Sequence, residues 1–114
     1  MGLDVSHDAW SGAYSRFNRF RVELCNVCGL GNLERYEGFG GQKPWPTKEE
    51  EPATILLNHS DCDGEISTAD CAPLAVRLRA IVAFLPNWDW APEAIRFAEG
   101  CEAAAAANEP LEFM

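Results

Sequence analysis

Leu3-Asp4-Val5-Ser6-His7 alternates apolar and polar residues, the period of a half-buried strand, with Leu3, Val5 and His7 on the core side. Ser11-Gly12 then opens a helix. Its apolar positions Tyr14, Phe17, Phe20 or Arg21, Leu24 and Val27 or Cys28 recur at steps of three and four, and Gly29 ends it. From 29 to 52 the period disappears under glycines and prolines, which predicts a long loop. A loop of that length in a small domain is usually functional or mobile. Ala53 to Leu57 is a short apolar run that fits a strand or one helical turn.

A second helix over 71–85 carries Leu74, Leu78, Ile81, Val82 and Leu85 on one face, with Asp70 as its N-cap, Pro73 in its first turn and Pro86 as its stop. A third runs over 90–107, with Asp89 as N-cap, Pro92 in its first turn and Asn108 closing it. Leu111-Glu112-Phe113-Met114 reads as a last strand, and the first strand is its expected partner. The pattern as a whole predicts one α+β domain over 1–114. Three helices at 11–28, 71–85 and 90–107 pack on a small sheet made by the two terminal strands.

Composition narrows the partners. The chain carries 18 acids against 9 bases, a net charge of −9. Residues 30–70 hold nine acids and three bases. Such a field repels phosphate backbones, which argues against direct nucleic-acid binding and points to a partner with a basic surface, or to a cation. No apolar run reaches the about 18 residues that a membrane span needs. The first eight residues show no basic-then-apolar leader, so a cytoplasmic setting is expected, with the five cysteines as thiols.

The richest stretch for chemistry is His59-Ser60-Asp61-Cys62-Asp63-Gly64-Glu65-Ile66-Ser67-Thr68-Ala69-Asp70. It follows much of a calcium loop of the EF-hand or dockerin type, with oxygens at the third, fifth, ninth and twelfth places, glycine at the sixth and an apolar residue at the eighth. His59 stands where such loops have an aspartate, and imidazole prefers zinc or nickel. The same residues also fit a tight Asp-Gly turn followed by a capped helix. A divalent-metal site gathering His7, His59, Asp61 and Asp63 is one expectation.

Three weaker signals remain. Cys25-Asn26-Val27-Cys28 lacks the second pair that structural zinc requires, so buried thiols are expected. Gly38, Gly40 and Gly41 suggest a backbone nest for an anion. Together with a helix start at Ser11-Gly12, that nest would hold a nucleotide or signalling molecule. Trp45, between two prolines and followed by Glu49, Glu50 and Glu51, has the make-up of a protein-binding spot, and equally of a loop anchor.

The segments Gly2-Leu3-Asp4-Val5-Ser6-His7, Trp10 to Phe20, Glu37-Gly38-Phe39-Gly40-Gly41 and His59 to Ile66 together give the chain a resemblance. It resembles small proteins encoded by phages and prophages. That resemblance implies a bacterial cytoplasm and an accessory gene, and it carries no activity or site residues with it. Combined with the acidity, it makes the leading expectation a non-catalytic binding or inhibitor module acting on a host protein, as counter-defence proteins do. A metal-dependent site and a nucleotide-sequestering protein are the alternatives.

Overall fold

The computed structural model describes residues 2–60 and 63–114. Strands β1 (Gly2–Val5) and β2 (Trp10–Ala13) form an antiparallel hairpin in the register Leu3 to Gly12 and Val5 to Trp10. Its turn has His7 and Asp8 at φ of 57° and 59°, and the Ala9 amide donates to the Ser6 carbonyl. Two successive positive φ values are what a type I′ hairpin turn demands. This corrects two expectations. His7 lies in the turn, half-buried, and not on the core face of the strand. Ser11 and Gly12 belong to β2, and helix α1 begins only at Tyr14 and runs to Val27.

α1 buries Phe17, Phe20, Arg21, Leu24 and Cys25. It ends in paired bonds, Gly29 amide to Asn26 carbonyl and Leu30 amide to Cys25 carbonyl, with Gly29 at φ 90°. This is the Schellman geometry, in which a glycine takes the left-handed position. After a single 3-10 turn at Leu33–Arg35 and the short α2 (Thr54–Leu57), β3 (Glu65–Ile66) leads into α3 (Thr68–Phe84).

α3 starts three residues earlier than the sequence suggested. Ser67 is its N-cap, and the Ser67 hydroxyl accepts from the Asp70 amide. Asp70 therefore lies in the first turn, and Pro73 inside the helix. The lost proline donor leaves the Ala69 carbonyl short of a bond, but Ala69 and Pro73 are both exposed, so water can serve it. α4 (Ala91–Ala106) packs back on α3 as a helical hairpin. Its N-cap is Trp90, with no side-chain bond, in place of Asp89. At its other end Asn108, at φ 57°, closes a second Schellman pair through the Glu109-to-Ala104 and Asn108-to-Ala105 bonds.

β4 (Leu111–Glu112) pairs antiparallel with β3. The fold is thus α+β, with four α-helices and two small two-stranded sheets among the described residues where three helices on one terminal sheet were expected. The chain ends still meet. Val5 bridges Phe113, the Ser6 amide donates to the Glu112 carbonyl at 2.8 Å, and the Met114 amide donates to the Asp4 carbonyl at 2.8 Å. Residues 111–114 therefore join the hairpin to the 59–70 segment. Beneath them lies an aromatic core in which Trp10 stacks on Phe20 and Phe17 meets the edges of Trp10 and Phe113. Gly100 of α4 is needed there, because a Cβ on it would overlap Ala9 in the hairpin turn.

Candidate functional site

Two regions carry the sequence-derived candidates. The first follows α2. His59 is held from three sides: its ring stacks on Phe113 at 4.2 Å, its Nδ1 lies 2.8 Å from the Ser60 carbonyl, and its Nε2 lies 3.0 Å from the Glu65 carbonyl. Gly64, at φ 90°, turns the chain under the ring, as the glycine in the sixth place of the loop was expected to do. Arg21 supports the same point from below. It is buried, its guanidinium lies between the Phe17 and Phe39 rings at 5.1 Å from each, and its Nη1 donates to the His59 carbonyl at 2.6 Å.

Three of the oxygens that would face a calcium ion are engaged within the protein. The Glu65 carbonyl, in the seventh place, meets the His59 ring. Asp70, in the twelfth, pairs with the Lys48 ammonium at 3.0 Å, a bond that raises the lysine pKa. The Ser67 hydroxyl, in the ninth, caps α3. Asp63 is exposed, and Asp61 lies outside the described residues. His7 is engaged elsewhere, its Nε2 3.1 Å from Glu109 Oε1. Among the described residues, no three histidine, cysteine, aspartate or glutamate side chains gather where they could hold a metal. What the region does present is a groove of about 470 Å³, with Lys48, Asn58, His59, Ser67 and Asp70 among its lining.

The second region is the segment over 29–52, which is folded on itself around Tyr36. That ring is buried, and its hydroxyl donates to the Leu30 carbonyl at 2.8 Å. Trp45 stacks on it at 4.3 Å, presents an edge to Phe39, and donates through Nε1 to the Glu37 carbonyl at 3.0 Å. Trp45 is therefore a half-buried anchor with one side open to solvent. The glycines serve this turn. Gly38 and Gly40 have φ of 87° and 96°, and a Cβ on Gly41 would overlap the Arg35 backbone. The amides of Phe39 and Gly41 both donate to the Tyr36 carbonyl, so they close the turn instead of opening toward an anion.

The three consecutive glutamates have different roles. Thr47 and Glu50 cap one another, with the Glu50 carboxylate on the Thr47 amide and the Thr47 hydroxyl on the Glu50 amide. Glu49 is exposed. Glu51 turns inward, where Arg77 grips it with two bonds of 2.8 and 2.9 Å and its Oε2 accepts from the Ala53 amide. It is buried and committed to the fold, which removes it from the partner-binding set. Trp45 and Glu50 do come together. They line a shallow cleft of about 400 Å³ with Tyr36, Lys43, Pro44 and Pro46.

The four described cysteines are free thiols, three buried and Cys28 half-buried, while Cys62 lies outside the described residues. Burial pushes Cys25 and Cys28 each up to about 11, and raises Cys71 and Cys101 as well. A thiolate nucleophile or ligand needs the opposite shift.

Sequence reasoning missed Arg21, Tyr36 and Lys48. Arg21 had a visible signal, since it lies four residues after Phe17 on the apolar face of α1. Tyr36 and Lys48 sit in an aperiodic stretch and had none. In comparison with known proteins, no family model, no curated protein and no solved structure matches this chain.

Proposed function

We propose that the chain is a non-catalytic binding module that captures a basic side chain of a partner protein in the Trp45 cleft, and so acts as an inhibitor of that partner. The observation that carries this reading is the make-up of the cleft. Its lining is aromatic and proline-rich, and the exposed Glu50 is part of it. A guanidinium or ammonium gains both a ring face and a counter-charge in such a place. The protein's own Lys43 already uses one face of Tyr36, with Nζ 5.3 Å from the ring centre.

The surrounding charge supports the same reading. Glu34, Glu37, Glu49, Glu50, Asp63 and Glu65 are all exposed, and a surface of this sign draws a basic partner in and keeps nucleic acid away. The resemblance to phage-encoded proteins supplies a setting, a bacterial host protein as target. The test is capture from bacterial lysate over a range of salt, comparing the wild type with Glu49→Lys/Glu50→Lys and with Trp45→Ala. A specific partner should be lost in both variants and weakened by salt. If no captured protein depends on these residues, the reading is wrong.

A further inference from the structure

α3 is apolar on both its inner and its outer side. Leu74, Leu78 and Ile81 are buried, while Ala69, Ala72, Pro73, Val76, Ala80, Ala83 and Phe84 are exposed. Val76 and Phe84 retain 69% and 84% of their surface, the most exposed aliphatic and aromatic side chains among the described residues' large exposed hydrophobics. A soluble helix normally turns charge toward water, so an outer face of this kind marks an interaction surface.

We propose that this face pairs with the same face of a second copy of the chain, antiparallel, about a two-fold axis level with Leu78. The order of the side chains picks out the occupant. Across such an axis, residues equally distant from position 78 meet. Phe84 then faces Ala72, Ala83 faces Pro73, and Val76 faces Ala80. Six of the seven exposed apolar residues of α3 are used up in these pairings, Ala69 in the first turn lying outside them, and Phe84 and Val76 each meet an alanine that leaves them room. Self-complementarity of this kind is the requirement of an isologous dimer.

Charge points the same way. Two copies at −9 repel one another over most of their surface. Beyond its first turn α3 carries only Arg77 and Arg79, and each is neutralised by a two-bond carboxylate partner, Glu51 and Glu102 respectively. The strip is therefore a place where identical acidic chains can approach without bringing like charges together. A strip about 18 Å long and about 10 Å wide is small against the area of permanent dimers. The pairing accordingly depends on concentration.

Sedimentation equilibrium from micromolar to millimolar protein tests the proposal. The average mass should climb from the 12.6 kDa of one chain toward twice that value. Val76→Lys and Ala80→Glu should each weaken association by about tenfold or more, since either puts an unpaired charge into an apolar interface. An equimolar mixture of the two should regain it, because positions 76 and 80 meet across the axis. Thermal melts of both variants should match the wild type, and Phe84→Ser is the substitute if either fails to fold. A wild type that remains at 12.6 kDa throughout, association undiminished in the variants, or a mixture no better than its components would each overturn the proposal.

Discussion

Replacing Phe113 with alanine should remove a large part of the protein's stability. The ring is 5% exposed, stacks on His59, and meets Phe17 and Phe97 at centroid distances of 6.0 and 6.4 Å. Truncating a buried phenylalanine costs about 3–5 kcal/mol, because the apolar contacts are lost and a cavity stays behind. A chain of 114 residues has about 6–17 kcal/mol in total at ordinary per-residue stability. The variant should still fold but melt about 12–20 °C lower, at about 4 °C per kcal/mol for this size. Deleting residues 111–114 should do more. It also removes Leu111 and the backbone bonds to Asp4, Ser6 and Gly64, and this shorter chain is expected to be largely unfolded. Urea titration followed by circular dichroism measures both. A cost below about 1 kcal/mol for Phe113→Ala, or a truncated chain that melts like the full one, would show that the strand is an ornament and that the helices hold the domain alone.

Other outcomes follow from single contacts. Cys25 and Cys28 have folded-state values raised from 9.0 to about 11, so their contribution to stability is complete below pH 9. It should disappear between about 9 and about 11, as the unfolded thiols ionise first; urea midpoints across that range, with Cys25→Ala/Cys28→Ala as control, would reveal a steeper decline in the wild type than in the variant, which keeps the raised thiols Cys71 and Cys101. Gly100→Ala should destabilise by about 1–3 kcal/mol through overpacking against Ala9, and a neutral melt would mean that the hairpin turn yields freely. Millimolar calcium should leave the wild-type melting temperature unchanged, since Lys48 and His59 hold the Asp70 carboxylate and the Glu65 carbonyl. The variant Lys48→Met/His59→Asp should become calcium-sensitive, and a calcium-stabilised wild type would contradict that view of the loop.

The large helices were legible because their apolar spacing is regular and their stops are chemical: Gly29, Pro86 and Asn108 end elements where they were expected to. The starts were less legible. A strand of Trp10-Ser11-Gly12-Ala13 looks like a helix entrance until its partner Leu3–Val5 is seen, because pairing is a property of two segments and not of one. Ser67 and Asp70 are both good caps, and choosing between them required knowing that Pro73 can sit in an exposed helix interior. The site was legible in composition but not in assignment. Glu49, Glu50 and Glu51 look alike in sequence. The turn closed by the Glu50 and Glu51 amides on the Thr47 carbonyl sends one to solvent, one to a cap and one to Arg77. Asp61, a member of the expected metal set, lies outside the described residues.

The bridge between Val5 and Phe113 has a consequence for how the protein forms. A ribosome delivers Val5 more than a hundred residues before its partner, and the 59–70 segment likewise waits for Leu111. Until then the hairpin and the segment before α3 have exposed edges, while the α3–α4 hairpin, with its local contacts, can already assemble. Closure of the domain thus waits until residues 111–114 have been made. Nascent chains spend that interval with unpaired strand edges open to chaperones and proteases.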